Sequence, residues 1–361
     1  MSEHKFWLGF SLVNGIGLKR ILVILNEFGS LASAWHSPEN KLKQSSLDHA
    51  LVAQFIEQRK KIDVDQEMAK VTRVGAYLVT YIDKQYPASL KNVDAPPPVL
   101  FIRGTIDSAD ERALAVVGTR KATKYGRDAA YDICYQLANS GITIISGMAH
   151  GIDQAAHMGA IDAGGRTIAV LGTGVDICYP RDHSELGQKI MRQGMLISEF
   201  AMGTNPLSNN FPRRNRIVSG LSLGVLVVEA PENSGALITA SLAAEQGRDV
   251  FAVPGNIYNI MSRGSNRLIQ DGAKLVLEAR DILDELNIAH QATTIRVRTE
   301  AIAPSNGIEA KLLAHLNSDP IHIDDLVRLS GLSINEVSST LTILELKGLA
   351  QMVGHMQYCL P

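Results

Sequence analysis

The chain has little of what export, redox or most catalytic machinery needs. Its three cysteines, Cys134, Cys178 and Cys359, stand far apart and form no CxxC pair, which argues against a disulfide framework and a thiolate metal site. No stretch approaches the roughly 18 uninterrupted apolar residues of a membrane span. The first residues, MSEHKFWLGF, lack a basic start followed by a sustained apolar run. No export or membrane contact is indicated, and the expected compartment is the cytoplasm. A GxxxxGKS/T loop and an HExxH pair are both missing, so P-loop hydrolysis and a zinc peptidase are not expected. Positive charge is also short: 35 Lys and Arg face 37 Asp and Glu, a net charge of -2. Any affinity for nucleic acid must therefore come from local clusters of Lys and Arg. Aromatics make up only 5% of the chain, so stacking on bases would rest on few side chains.

What is present is an alternating pattern. Residues 1–85 read mostly as short helices, with apolar positions at helical spacing in ILVILNEF and LVAQFIEQ and a strand-like run, GAYLVTYID, at the end. Three consecutive prolines in DAPPPVLFIRG forbid a helix and mark an extended connector. Apolar runs then recur: LAVVG, ITIIS, TIAVLG, MLISEF, LGVLVVEA and RDVFAVPG. Between most of them lie helical segments that end on glycine, as helix C-caps do. Continuous apolar strands alternating with helices are what a parallel sheet covered on both faces requires. The expected fold is α/β, a doubly wound and mostly parallel sheet, with binding residues just after each strand. Residues 288–306 lack any sustained period and read as a linker. Residues 307–361 have the layout of a winged helix, which gives domains at 1–85, 86–287 and 307–361.

The strand ends carry the candidate site. After LAVV come Gly118, Thr119 and Arg120, then Thr123 and Lys124 at a helix start, where unpaired amides and the positive dipole end offer a seat for phosphate. The later glycines of a dinucleotide fingerprint are missing, so a pyrophosphate against bare backbone is not expected. After ITIIS, the turn SGMAHGID supplies Ser146, Gly147 and Gly151, which permit close backbone approach. His150 and His157 have no cysteine or carboxylate cluster at ligand spacing and are expected to be ordinary surface or core histidines, with no metal bound. The loop after TIAVLG brings Arg181 behind Tyr179 and Pro180. In FPRRNRIVSGLS, Phe211 is followed by Arg213, Arg214, Asn215 and Arg216, and these arginines are expected to stand before a helix. Mutual repulsion among three guanidiniums points to an anion that compensates them. A spread of cations along one rim fits the phosphates of a single strand better than one nucleotide. Glu229, alone at a strand end, is expected to be structural, and no catalytic residue or cofactor is assigned.

These segments, in this order, resemble the DNA-processing protein A family, also called DprA or Smf. The resemblance rests on Gly118-Thr119-Arg120, SGMAHGID, TIAVLGTGVDICYP, and FPRRNRIVSGLS followed by VVEA, SGALITA and VPG. It implies an extended Rossmann-like domain that binds single-stranded DNA without sequence preference, protects incoming strands during natural transformation, and helps load the RecA recombinase. It implies a homodimer, with Leu268 and Ile269 in the dimer surface, and no catalysis. Arg120, Arg214 and Arg216 would contact phosphates, and Arg181 would sit where members place a basic residue. Thr119 stands where serine is frequent, and Ser208 where some relatives carry lysine.

Both flanks add expectations. LVNGIGLKR resembles a helix-hairpin-helix whose Gly15 to Gly17 amides would face a phosphate, with Lys19 and Arg20 nearby. Residues 307–361 are acidic, with Lys311, Arg328 and Lys347 against Glu309, Asp319, Asp324, Asp325, Glu336 and Glu345. That sign suits a protein-docking module better than a reader of duplex DNA. The competing expectation is a nucleotide-processing enzyme of the Rossmann-like phosphoribohydrolase, lysine-decarboxylase-like, type; its PGGxGTxxE signature is missing from EAPENSGALIT.

Overall fold

In the computed structural model, residues 3–286, 307–317, 320–346, 349–354 and 356–360 are described. They fall into two compact units, one holding everything up to residue 286 and the other everything from 307 onward. The expected linker at 288–306 lies outside the described residues.

The first unit is built on a nine-stranded sheet: β1 (Tyr77–Thr80), β2 (Val99–Gly104), β3 (Ala113–Val117), β4 (Thr143–Ser146), β5 (Thr167–Val170), β6 (Met195–Ser198), β7 (Gly224–Val227), β8 (Asp249–Ala252) and β9 (Lys274–Leu275). Their order is β1-β2-β6-β5-β4-β3-β7-β8-β9. From β6 to β9 all neighbours pair in parallel, while β2 pairs antiparallel with both β1 and β6. The six apolar runs are the six strands β3 to β8, and β3 to β7 are buried along their whole length. Helices cover both faces. Gly141, Gly164 and Gly247 follow helices with φ of +77°, +69° and +68°, the left-handed conformation that ends a helix without a Cβ penalty.

The chain winds outward from β3 to β6 in one direction and through β7 and β8 in the other. The switch point, where loops diverge and leave a crevice, is therefore between the carboxyl ends of β3 and β7.

One boundary differs from expectation. Strand β1, read as the close of the helical N-terminal region, is paired to β2 from Tyr77 with Ile102 to Thr80 with Val99. The sheet thus claims the chain from Tyr77 rather than from residue 86. The helices before it pack around Trp7, Phe10, Trp35 and Phe55, with the Phe10 and Phe55 rings stacked at 4.9 Å. Their core is continuous with one face of the sheet through Leu78, Val99 and Phe101, because burying those apolar faces against each other removes more surface from water than either would alone.

The second unit is a winged helix: Gly307–Leu313, Ile323–Ser330 and Ile334–Leu346 are helical. Strands β10 (Ile321–His322), β11 (Gln351–Gly354) and β12 (Gln357–Cys359) form a sheet in the order β10-β12-β11. Leu312, Leu326, Val337, Leu341 and Leu344 make its core.

Candidate nucleic-acid interface

Two adjoining cavities open at the switch point. One, of about 320 Å³, is lined by Gly118, Thr119, Arg120, Phe211, Arg214, Asn215, Ser234 and Gly235 among others. The second, of about 280 Å³, shares Arg120, Phe211 and Arg214 and adds Gly147, His150, Tyr179 and Arg181. Loops after β3, β4, β5 and β7 and the helix Asn210–Gly220 thus meet on one ledge, as the alternation of strand and helix implies.

Within this ledge the side chains divide into floor and rim. Arg120 and Arg181 are exposed and, among the described residues, have no carboxylate partner. The Arg120 guanidinium lies 5.1 Å from the centre of the Phe211 ring, and Phe211 in turn meets Tyr179 at 5.6 Å. Two cations without a carboxylate partner thus share one cavity with an aromatic pair, with Tyr179 36% exposed.

Arg214 is placed differently from the expected surface clamp. It is 7% exposed, and its Nη1 donates to the carbonyls of Gly147 at 2.8 Å and Val170 at 2.6 Å. Any side chain at Gly147 would collide with this guanidinium, since a Cβ there would stand 2.5 Å from it. Asp153, also buried, accepts from the amides of Gly147 and Ala149 at 3.2 Å. Burial raises the Asp153 carboxyl above its ordinary range, offset by Arg214, and burial lowers the Arg214 guanidinium. Arg214 is thus a positive floor that fixes the SGMAHGID turn, and Asn215 joins it by accepting from Arg214 Nε and donating to Gly235.

Arg213 and Arg216 do not face these cavities. The FPRRNR run lies inside the helix Asn210–Gly220 rather than before it, and a helix turns about 100° per residue. Phe211, Arg214 and Asn215 consequently share one face, while Arg213 and Arg216, three apart, share another. Both donate to Glu199 Oε2, at 3.0 and 2.7 Å. The compensating anion inferred from three crowded arginines is, for these two, an internal glutamate.

That second face opens on a separate cleft of about 530 Å³, where Arg213, Arg216 and Glu199 are joined by Gly15, Gly17, Lys19 and Arg20. The glycine turn between the helices His4–Leu12 and Leu18–Phe28 therefore does approach the FPRRNR helix, an arrangement no local pattern shows.

The phosphate seat expected at Thr123 is filled from within. Glu229, fully buried, accepts from the Thr123 amide at 2.9 Å and the Thr123 hydroxyl at 2.7 Å. Thr123 caps the helix Lys124–Asn139 by accepting from the Gly126 amide, and Lys124 is exposed outside the cavity linings. Ser146 is also committed, donating to Val116 at 2.6 Å. The Thr119 amide donates to Glu229 O at 2.7 Å. Gly118 serves packing: a Cβ there would meet Ile152 at 2.4 Å. Gly151, at φ +78°, brings the next turn so close that a Cβ would stand 2.4 Å from Thr119 O. Leu268 and Ile269 are half-buried on the helix Arg263–Gln270. His157 is a core histidine: fully buried, its Nδ1 lies 2.7 Å from Thr167 Oγ1.

The model of the family described as DNA recombination-mediator protein A matches residues 77–287, and that of the DprA winged helix domain matches residues 297–354. The chain belongs to the DNA recombination-mediator protein A family. It is 33% identical to Protein Smf of Synechocystis sp., over 99% of this chain and 98% of that one. It is 45% identical to DNA processing protein DprA of Streptococcus pneumoniae over 56% of this chain and 72% of that one. The X-ray structure of the Streptococcus pneumoniae protein superposes with a TM-score of 0.67 at 36% identity, covering 78% of this chain and 97% of that chain. A structure giving the single-stranded DNA binding mode of DNA processing protein A from Helicobacter pylori superposes with a TM-score of 0.53 at 27% identity, covering 59% and 96%.

Proposed function

We propose that this chain binds single-stranded DNA without sequence preference on the ledge at the switch point, as a recombination mediator rather than an enzyme. The observation that carries this is the pairing of two unpartnered guanidiniums, Arg120 and Arg181, with the Phe211 and Tyr179 rings in one cavity over the buried charge of Arg214. Cations spaced along a ledge hold a phosphate backbone, and aromatic faces accept any base. The binding mode of the Helicobacter pylori relative supports the same ligand. Gly118, Thr119, Gly147, Gly151 and Asn215 shape the ledge; Arg120 and Arg181 grip it. Arg213 and Arg216 extend the contact into the neighbouring cleft once DNA competes with Glu199.

Handing the strand to RecA recombinase is the role that fits a recombination mediator, and a homodimer fits the sheet edge. There Leu275 of β9 and Leu277 just beyond it are exposed, after the helix of Leu268 and Ile269, and an uncovered edge strand is a natural pairing surface. The unpaired cysteines suit a reducing cytoplasm. Among the described residues no helix is long and apolar enough to cross a membrane. A nucleotide hydrolase is disfavoured by Glu229, whose two oxygens are buried and already bonded to Thr123.

Fluorescence anisotropy with labelled oligo-dT, duplex DNA and free nucleotides across a salt series tests this. Tightest binding of oligo-dT is expected, with log K falling by about 0.7 per contacted phosphate for each decade of salt. Preferential binding or turnover of a free nucleotide would sink it.

A further inference from the structure

Three side chains to which the arginine ledge assigns no role converge at its border. His150 comes from the turn after β4, and Asp182 and His183 from the short helical turn Arg181–His183. One potential ligand atom from each lies within 4.8 Å of the others. His150 Nε2 and Asp182 Oδ1 are 3.7 Å apart, and the two imidazoles meet edge to face at 4.6 Å.

His183 is the informative member. It is 3% exposed, and its Nδ1 lies 3.0 Å from the Met148 carbonyl oxygen. A carbonyl only accepts, so Nδ1 carries a proton, and in the neutral ring Nε2 holds a free lone pair. That Nε2 is buried and, among the described residues, has no hydrogen-bond partner. A buried acceptor without a donor is unfavourable. An imidazole oriented through Nδ1 by a backbone carbonyl, with Nε2 free, is the posture of a metal-ligating histidine.

We propose that His150, Asp182 and His183 form a binding site for a divalent zinc-like ion, with three protein ligands and one open position. Two imidazoles and a carboxylate suit zinc better than magnesium or calcium, which favour oxygen ligands alone. Bonds of about 2.0–2.1 Å to a tetrahedral ion place ligand atoms about 3.4 Å apart. The present separations need to close by an ångström or so, which the exposed His150 and Asp182 side chains, at 47% and 69% accessible, supply by rotation.

His150 also lines the cavity of Arg120, Tyr179 and Arg181, so the open position borders the proposed DNA path and can take a phosphate oxygen. Arg120 and Arg181 repel a second cation there, and a phosphate relieves that repulsion. Zinc and DNA should therefore strengthen each other's binding, by the same factor in both directions. This DNA coupling rests on the proposed function; the metal site does not.

The full chain, stripped with chelator, is titrated with ZnCl2 against a chromophoric chelator, and with CoCl2 to read the visible bands of tetrahedral cobalt. One equivalent of zinc per chain is expected. His150→Ala and Asp182→Ala, both at exposed positions, should each weaken binding by about tenfold or more. His183→Gln should abolish it with melting checked alongside, and His49→Ala in the N-terminal helices should leave it unchanged. Failure to bind one equivalent, or affinity indifferent to His150→Ala and Asp182→Ala, overturns the site. Oligo-dT affinity is then compared with and without saturating zinc. A rise supports the phosphate contact, and no change removes that contact while leaving the metal site standing. Absence of any oligo-dT binding speaks against the DNA function alone.

Discussion

Glu229 closes the N-terminus of the helix that Thr123 caps, taking both the Thr123 amide and its hydroxyl. The position that a glycine turn and a helix dipole advertise as a phosphate seat is therefore held by a carboxylate of the protein itself. Glu229→Ala should lower stability by about 1–3 kcal/mol for each donor left buried without a partner. The urea midpoint reads this, and a midpoint equal to the parent's would show that the two donors find water instead.

Arg120 and Arg214 share the Phe211 ring, at 5.1 and 5.8 Å, yet their removal should have opposite signatures. Arg120→Ala should leave melting unchanged, weaken oligo-dT binding and reduce the salt slope by about 0.7. Arg214→Ala leaves the buried Asp153 without its compensating charge and should cost about 3–5 kcal/mol of stability. Anisotropy and thermal melting on both variants separate the two roles; unfolding of the Arg120 variant would contradict its place on the rim.

Glu199 pairs with both Arg213 and Arg216 and so competes with a phosphate for them. Glu199→Gln should tighten oligo-dT binding at low salt and steepen its salt dependence by about 0.7, one further released counterion. If affinity falls instead, the glutamate positions the two arginines productively and the neutralisation argument is wrong.

His157 makes stability depend on pH. Thr167 Oγ1 donates to Ile144 O, so it accepts from His157 Nδ1–H, and the ring is neutral with Nε2 bare. Burial lowers the His157 pKa from 6.5 to about 3. The unfolded chain therefore takes up a proton near 6.5 while the folded one does not until about 3. The stability this group contributes is complete above 6.5 and is lost as pH falls toward 3, by up to about 1.4 kcal/mol per pH unit. Denaturant midpoints followed over that window should fall less steeply for His157→Gln, and parallel curves would assign the acid sensitivity elsewhere.

The acidic winged helix gives a last expectation. Removal of residues 307–361 should leave oligo-dT affinity nearly intact, since the cations of the ledge all lie in the first unit. A large loss in the truncated chain would make that unit a DNA contact despite its charge.

Strands β3 to β8 and their glycine-capped helices were legible because apolar continuity and helix punctuation are local properties, written within ten or fifteen consecutive residues. The family was legible for the same reason, since its motifs are short and ordered. By itself the sequence also determined that Gly118, Arg120, Gly147, Arg181 and Phe211 would share one edge, because a doubly wound sheet sends every strand's carboxyl end the same way. What it did not determine is which charges are spoken for. Glu199 lies 17 residues from Arg216 and Glu229 lies 106 from Thr123, and no spacing rule reaches across such separations. Helical rotation then sorted neighbouring arginines onto different faces, and the fold paired His183 rather than His157 with His150. Only the tertiary structure decided these matters, because electrostatic and hydrogen-bond partners are chosen by distance in space, which the chain's order leaves open until the sheet is assembled.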